Sequence, residues 1–175
     1  MIIRPATLAD AAVLSELATT TGREAFGPPH NPADLVEEYL QSTLTQPILE
    51  TELAHPRSWF FLAETDDGAP AGYAKLRRQA PPRQMPAAYR HKAIEIQRIY
   101  LLQSHVGRGQ GRLLMNFCLD WARSAGYEAV WLGVWERNET ARSFYHKMGF
   151  SPFGYHYFQF GAERQRDYWL YKPLH

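Results

Sequence analysis

The sequence has little of several things, and each shortage closes a class of function. It holds one cysteine, Cys118, in 175 residues, so no internal disulfide can form and no cysteine cluster is offered to a metal. The net charge is +1 at neutral pH, which leaves no global electrostatic footprint for nucleic acid or a membrane surface. No apolar run approaches the roughly 18 residues of a membrane span. Met1 to Pro5 is too short for the core of a signal peptide, and a cytoplasmic location is the simplest expectation. The histidines, His30, His55, His91, His105, His146, His156 and His175, lack metal-ligand spacing such as His-Glu-x-x-His, so no metal is expected. Acidic charge is also missing locally. From Gly68 to Ile94 there is no Asp or Glu, while Lys75, Arg77, Arg78, Arg83, Arg90 and Lys92 are basic. A solvated hairpin edge and loop accounts for that better than a binding patch.

What is present is ordinary for one globular domain spanning 1–175: 45% apolar and 21% charged residues. The chain is organised around Ile94 to Tyr127. Ile94, Ile96, Ile99, Leu101 and Leu102 form a β-branched, apolar strand pattern. Gly107, Gly109 and Gly111 break it. Leu113, Leu114, Phe117, Cys118, Trp121, Ala122 and Ala125 then draw a stripe of helical period, with Gly126 placed to end the helix. A strand, a glycine loop and a helix together make a phosphate-binding device. Glycines allow close backbone approach, and the unpaired N–H groups of a first helical turn point at an anion. Arg108 and Arg112 add charge. The Lys-Ser/Thr that a P-loop needs is missing, and the third glycine of a dinucleotide fingerprint falls on Arg112 or Leu114. Both nucleotide readings fail.

The remaining elements follow in order. Ile2 to Arg4 reads as a short strand. Thr7 to Asp10 reads as a capping box before a helix carrying Leu14, Leu17 and Ala18, weakened near its end by Gly22. Asn31 can cap, and Pro32 can open, a helix bearing Leu35, Val36, Tyr39, Leu40 and Leu44. A further short helix fits Ile48 to Ala54. Ser58 to Glu64 and Gly72 to Arg78 form a hairpin, and Gln79 to Arg90, with three prolines, is a loop. Ala129 to Trp135 is nearly continuous apolar sequence, as in a strand covered on both faces. Asn138 can cap a helix carrying Ala141, Phe144, Tyr145 and Met148. Strands at about Tyr155 to Phe160 and Tyr168 to Lys172 close the chain.

Two motifs carry a family resemblance. Val106-Gly107-Arg108-Gly109-Gln110-Gly111 resembles the acyl-CoA loop of the GNAT superfamily of N-acetyltransferases, although Val106 stands where Gln or Arg is usual. Asn138 to Phe150 resembles the second signature, Asn-x-x-Ala-x-x-Phe-Tyr-x-x-x-Gly-Phe, one helix and one strand later. A finer resemblance is to the PaiA-type branch, which includes polyamine acetyltransferases. It rests on Glu95 to Tyr100, on Trp131 to Glu136, and on a tail in which His156-x-Phe158-x-x-Gly161 is followed by Gln165 and Asp167.

The resemblance implies an α/β fold: a mixed sheet of about seven strands, splayed between the fourth and fifth and flanked by about four helices. It implies acetyl-CoA as co-substrate and no metal. The backbone of Ile99, Tyr100 and Leu101 would take the pantetheine arm. The loop from Val106 through Gly107, Arg108, Gly109, Gln110 and Gly111 to Arg112 would hold the pyrophosphate. Asn138 would contact the cofactor, and Tyr145 would be the general acid, since a phenol of pKa about 10 is protonated at neutral pH. Glu95 matches a general-base position, with substrate contact and a structural ion pair as open alternatives. On strand alternation it shares a side with Gln97, Ile99 and Leu101. The acceptor would be a primary amine on a small, polyamine-like molecule or a peptide. Asp34, Glu37, Glu38, Glu50 and Glu52 on the early helices would suit such a cation, or are simply solvated. The reaction would be direct transfer in a ternary complex, since Cys118 lies on a stripe expected to be buried. A CoA-binding regulatory protein with little catalysis is the alternative. No nucleic acid or membrane partner is implied; the last strands could pair with a second copy.

Overall fold

The computed structural model describes residues 1–175. In chain order the elements are β1 (Ile2–Pro5), α1 (Ala11–Phe26), α2 (Ala33–Thr43), α3 (Gln46–Leu53), β2 (Ser58–Glu64), β3 (Pro70–Arg77), β4 (Ala93–Leu101), α4 (Gln110–Ser124), β5 (Ala129–Trp135), α5 (Glu139–Lys147), β6 (Ser151–Phe160) and β7 (Glu163–Pro173). The strands form a seven-stranded sheet in the order β1-β2-β3-β4-β5-β7-β6. It is mixed: β4 and β5 run parallel, while β5–β7 and β6–β7 are antiparallel. This is the α/β architecture the motifs imply, with five helices where about four were expected. The fifth is α3, the short helix expected at Ile48 to Ala54, which starts two residues earlier with a proline in its first turn. No helix is long and apolar enough to cross a membrane.

The chain divides into two compact units, 1–76 with 98–117, and 77–97 with 118–175. In the first, β1 pairs antiparallel with β2, Ile3 opposite Ala63 and Pro5 opposite Phe61. The helices bury Leu14, Leu17 and Ala18 of α1, Val36 and Leu40 of α2, and Leu49 of α3. Gly22 stands near the end of its helix, as expected. It lies inside α1, where a Cβ would come within 2.6 Å of Leu40 Cδ2, so the glycine is there for helix packing. Asn31 does not cap α2; Pro32 occupies the cap position, and the Asn31 amide donates to the Phe26 carbonyl at 2.8 Å. Glycine is also required at Gly72, where a Cβ would meet the Tyr100 carbonyl oxygen at 2.4 Å.

The expectation of a solvated basic edge fails at Lys75, which is 3% exposed. Its ammonium lies 2.8 Å from Glu52, and Arg98 donates to the same carboxylate at 2.5 and 3.1 Å. Glu52 is therefore committed within the core and does not form a free acidic wall. Glu37 is likewise taken up, by Arg23. Tyr73, fully buried, stacks on Tyr100 at 6.0 Å.

In the second unit β5 is central. It pairs in parallel with β4 from Ala93–Ala129 to Glu95–Trp131, and antiparallel with β7 from Ala129–Pro173 to Trp135–Asp167. All of β5 except Gly133 is buried, as its apolar run requires. β6 and β7 start earlier than expected, because Ser151, Pro152 and Gly154 carry no strand signal and β7 opens on the polar run Glu163 to Asp167.

Burial alone would raise the Glu52 carboxyl, but Arg98 and Lys75 outweigh it and hold the group below its ordinary range. Its stabilisation is therefore fully present above an unfolded value of about 4.3 and is lost as pH falls through the lower folded value. Replacing Glu52 by Gln should cost about 3 kcal/mol, because two cations lose their shared partner. Urea unfolding near pH 7 and again near pH 3 checks this, with the gap between the proteins narrowing at the lower pH. Equal stability near neutrality would overturn it.

Candidate functional site

In the first unit, the glycine loop joins β4 to α4. Gly107 and Gly109 have φ of 86° and 78°, and nothing lies within 4 Å of where a Cβ would be on either. They are needed for left-handed backbone, not for packing, and that side of the loop stays open. The Gly109 carbonyl closes the first turn, accepting from Arg112 N–H at 3.1 Å and Leu113 N–H at 3.2 Å. The Arg112 amide, expected to serve a phosphate, is thus engaged by the loop itself. The Arg108 and Arg112 side chains are exposed, as is Val106. Gln110 keeps a buried amide oxygen with no hydrogen-bond partner. Ile99, Tyr100 and Leu101 are half-buried at the end of β4. The buried stripe of α4 is shifted from the sequence expectation. Met115 and Leu119 lie on it with Leu114, Cys118 and Ala122, whereas Leu113 and Ala125 are exposed.

In the second unit, Asn138 caps α5, its Oδ1 accepting from Ala141 N–H at 3.0 Å. Tyr145, 8% exposed, lies edge-on to Phe144 and Phe150 with centroids 5.5 and 5.7 Å away. Burial, helped by nearby Cys118, holds its phenol well above the usual tyrosine range. A protonated phenol is what an acid requires. Burial also pushes the Cys118 thiol up to about 12, which removes the thiolate a nucleophile needs.

The same unit contains a cavity of about 670 Å³. Glu95 and Gln97 of β4, Trp131 and Gly133 of β5, and Asp167 and Trp169 of β7 line it, with His156 of β6 beside them. Arg77 and the proline-bearing segment 79–84 form its rim. The expected alternation thus holds for Glu95 and Gln97, which share this cavity; Tyr145 and Asn138 do not line it. Arg77 resolves part of the question left open at Glu95. Its Nε donates to Glu95 Oε2, and its Nη2 lies 3.3 Å from Oε1, so the buried carboxylate is held in an ion pair. His156 stacks on Trp169, with centroids 5.2 Å apart at 13°, and its Nε2 lies 3.6 Å from Asp167 Oδ2. Burial raises the Asp167 carboxyl above its ordinary range, while His156 pulls it back. Sequence reasoning missed Gln97, Gly133 and Trp169 as cavity residues. Gly133 carried a signal, since a glycine inside an apolar strand marks a close approach or an opening.

The model of the acetyltransferase (GNAT) family matches residues 21–150. An uncharacterized N-acetyltransferase of Lactobacillus delbrueckii subsp. lactis is 35% identical over 164 residues, covering 90% of this chain and 88% of that protein. Among solved structures, the PaiA N-acetyltransferase of Thermoplasma acidophilum, in complex with coenzyme A, superposes with a TM-score of 0.79 at 19% identity, covering 98% of both chains. The spermidine/spermine N-acetyltransferase SpeG of Vibrio cholerae gives a TM-score of 0.69 at 18% identity over 99% of this chain and 92% of its own. At those identities the two structures share the fold.

Cys118, fully buried with a raised pKa, should resist iodoacetamide in the native protein and react only on unfolding. Mass spectrometry after timed labelling checks it; rapid stoichiometric alkylation of folded protein would refute the reading.

Proposed function

The chain belongs to the GNAT acetyltransferase family of acetyl-CoA-dependent N-acetyltransferases, and from that premise we propose that it acetylates the primary amine of a small, polyamine-like cation. Transfer is direct, within a ternary complex, and residues 1–175 act as one acetyltransferase domain. The observation that carries this reading is the cavity beside β5. Carboxylates of Glu95 and Asp167 meet the indoles of Trp131 and Trp169 there, supplying negative charge for an ammonium and aromatic faces for its methylene chain. The likeness to an N-acetyltransferase named for spermidine and spermine supports the class of acceptor.

The residues of the glycine loop suit a CoA pyrophosphate. Two left-handed glycines hold the backbone open, and two arginines are exposed beside it. Val106 to Arg112 hold the pyrophosphate in this reading, the backbone of Ile99, Tyr100 and Leu101 runs along the pantetheine as an added strand does, and Asn138 flanks it while capping α5. Bound acetyl-CoA supplies the activated acyl carbon. Tyr145, kept protonated by burial, gives its proton to the departing sulfur. Glu95, fixed by Arg77, receives the ammonium on the cavity wall. No acyl-enzyme forms, because the only thiol is buried and protonated.

Thiol release from acetyl-CoA with spermidine, L-lysine, an N-terminal peptide and an aminoglycoside tests the acceptor, and spermidine should be fastest. Preference for the peptide would overturn the small-molecule reading. In a thermal-shift assay acetyl-CoA at 100 times its Kd should stabilise the protein by about 2.7 kcal/mol, and ATP or NAD should not. Tyr145→Phe should lower kcat by about 10²-fold with acetyl-CoA affinity retained. Unchanged turnover would remove the acid role.

A further inference from the structure

Accepting the amine's proton is a separate task from holding its charge, and the cavity distributes the two unevenly. Both oxygens of Glu95 accept from Arg77. A proton placed there would break a buried ion pair and leave Arg77 against a neutral acid, which is costly. His156 presents the opposite balance. The β6–β7 register sets it directly across from Asp167, and its Nε2 lies 3.6 Å from Asp167 Oδ2. Protonating this ring creates an ion pair where none existed.

We propose that His156 is the group that takes the proton from the acceptor amine, and that Asp167 positions its ring and stabilises the imidazolium. This rests on the reading of the cavity as the amine site. The geometry supports the roles. Trp169 stacks against one face of the ring at 5.2 Å, and Phe158 lies 6.2 Å away at 42°, so the ring plane is fixed. The His156 side chain is 41% exposed and that of Asp167 27%, so the ring can be reached from the cavity. Nε2 is the ring nitrogen nearer Asp167, at ion-pair distance, and in this proposal Nδ1 carries the lone pair that accepts. The other charges around the pair are Arg77 and Glu95, which offset each other, Arg83 on the rim, and Glu136, whose field also acts on Asp167. Burial alone pushes the Asp167 carboxyl toward its neutral form, and His156 acts against that, so a charge on the ring is what favours the carboxylate.

The proton balance closes. The substrate arrives as R–NH3⁺ and gives one proton to His156, which passes it to solvent. The freed lone pair forms the C–N bond as the C–S bond breaks. A second amine proton replaces the one Tyr145 gives to sulfur, and the third stays on the amide nitrogen. The products are the N-acetyl amine, CoA thiol and one proton.

Gly133 offers an independent handle on the same place. A Cβ there would lie 3.6 Å from Asp167 Oδ2, an ordinary contact, so the strand tolerates a side chain. A valine would nevertheless stand in front of the pair and obstruct the amine.

The experiment is initial-rate thiol release as a function of pH, with spermidine as probe, or the fastest amine of the panel if spermidine is silent. His156→Gln should lower kcat/KM by about 10²-fold and abolish the acidic limb of the profile. Asp167→Asn should move that limb to lower pH, since the imidazolium loses its counter-charge. Glu95→Gln should raise the amine KM and leave the limb in place. Gly133→Val should raise the amine KM with the acetyl-CoA KM unchanged. Calorimetric acetyl-CoA binding confirms that each variant is folded. A limb that persists in His156→Gln and vanishes in Glu95→Gln would overturn the proposal while leaving the amine site intact. Activity that survives Gly133→Val with an unaltered amine KM, or silence toward every amine, would sink the cavity reading and this proposal with it.

Discussion

A short parallel ladder between β4 and β5 is the constraint on which the rest depends. It joins Ala93 to Ala129, Ile94 to Val130 and Glu95 to Trp131, and goes no further, while β5 stays paired with β7 to Trp135–Asp167. A strand paired fully on both sides would have no free backbone to offer. Here β5 keeps one complete partner and one truncated one. Its rigidity comes from β7, and the residues past Glu95 on β4 are released for other work. The same ladder fixes Glu95 beside Trp131, and the β5–β7 register brings Gly133 opposite Trp169, so the floor of the cavity follows from the pairing.

Burial serves two different ends at neighbouring positions. It raises both the Tyr145 phenol and the Cys118 thiol. For a phenol proposed as an acid that shift keeps the proton in place but lowers the driving force for giving it up, so the developing thiolate must draw it off. For a thiol it is disabling, since only the thiolate attacks. One apolar environment thus keeps both protons in place: it holds the phenol in the acid form, as a weaker acid, and denies the thiol the ionised form that covalent catalysis needs.

The parts legible in the sequence were those encoded locally. Gly107, Gly109, Asn138 and Gly126 each announce a backbone event within a few residues of themselves, and the structure has the left-handed turns and the cap where they stand. The apolar run of β5 announces its own burial. What could not be read are pairings between distant positions. Glu52, Lys75 and Arg98 are spread over three elements, and nothing near Glu52 says that its charge is already committed. The acidic early helices therefore looked available when two of their carboxylates, Glu37 and Glu52, were not. The cavity has the same origin. His156 and Asp167 are eleven positions apart and meet only through the β6–β7 register, and β6 carries too weak an apolar alternation for that register to be inferred.

In the proposed reading, the charges in the cavity explain how one site could both attract a cation and deprotonate it. Two carboxylates held alike would bind an ammonium firmly and stabilise it in the charged, non-nucleophilic form. The pairing here is unlike at the two ends. Arg77 ties up Glu95 permanently, being always protonated, so that pair contributes orientation and modest attraction. Asp167 faces a partner whose charge can change, so its anion is balanced only when His156 carries a proton. An arriving ammonium meets a negative field that is strongest before it gives up its proton and weakest after. Attraction thus turns into release at the moment the amine becomes a nucleophile, and an acceptor that is already neutral gains nothing from the arrangement. On this electrostatic ground the proposed amine site would favour cationic amines over amides, alcohols and anilines of equal size.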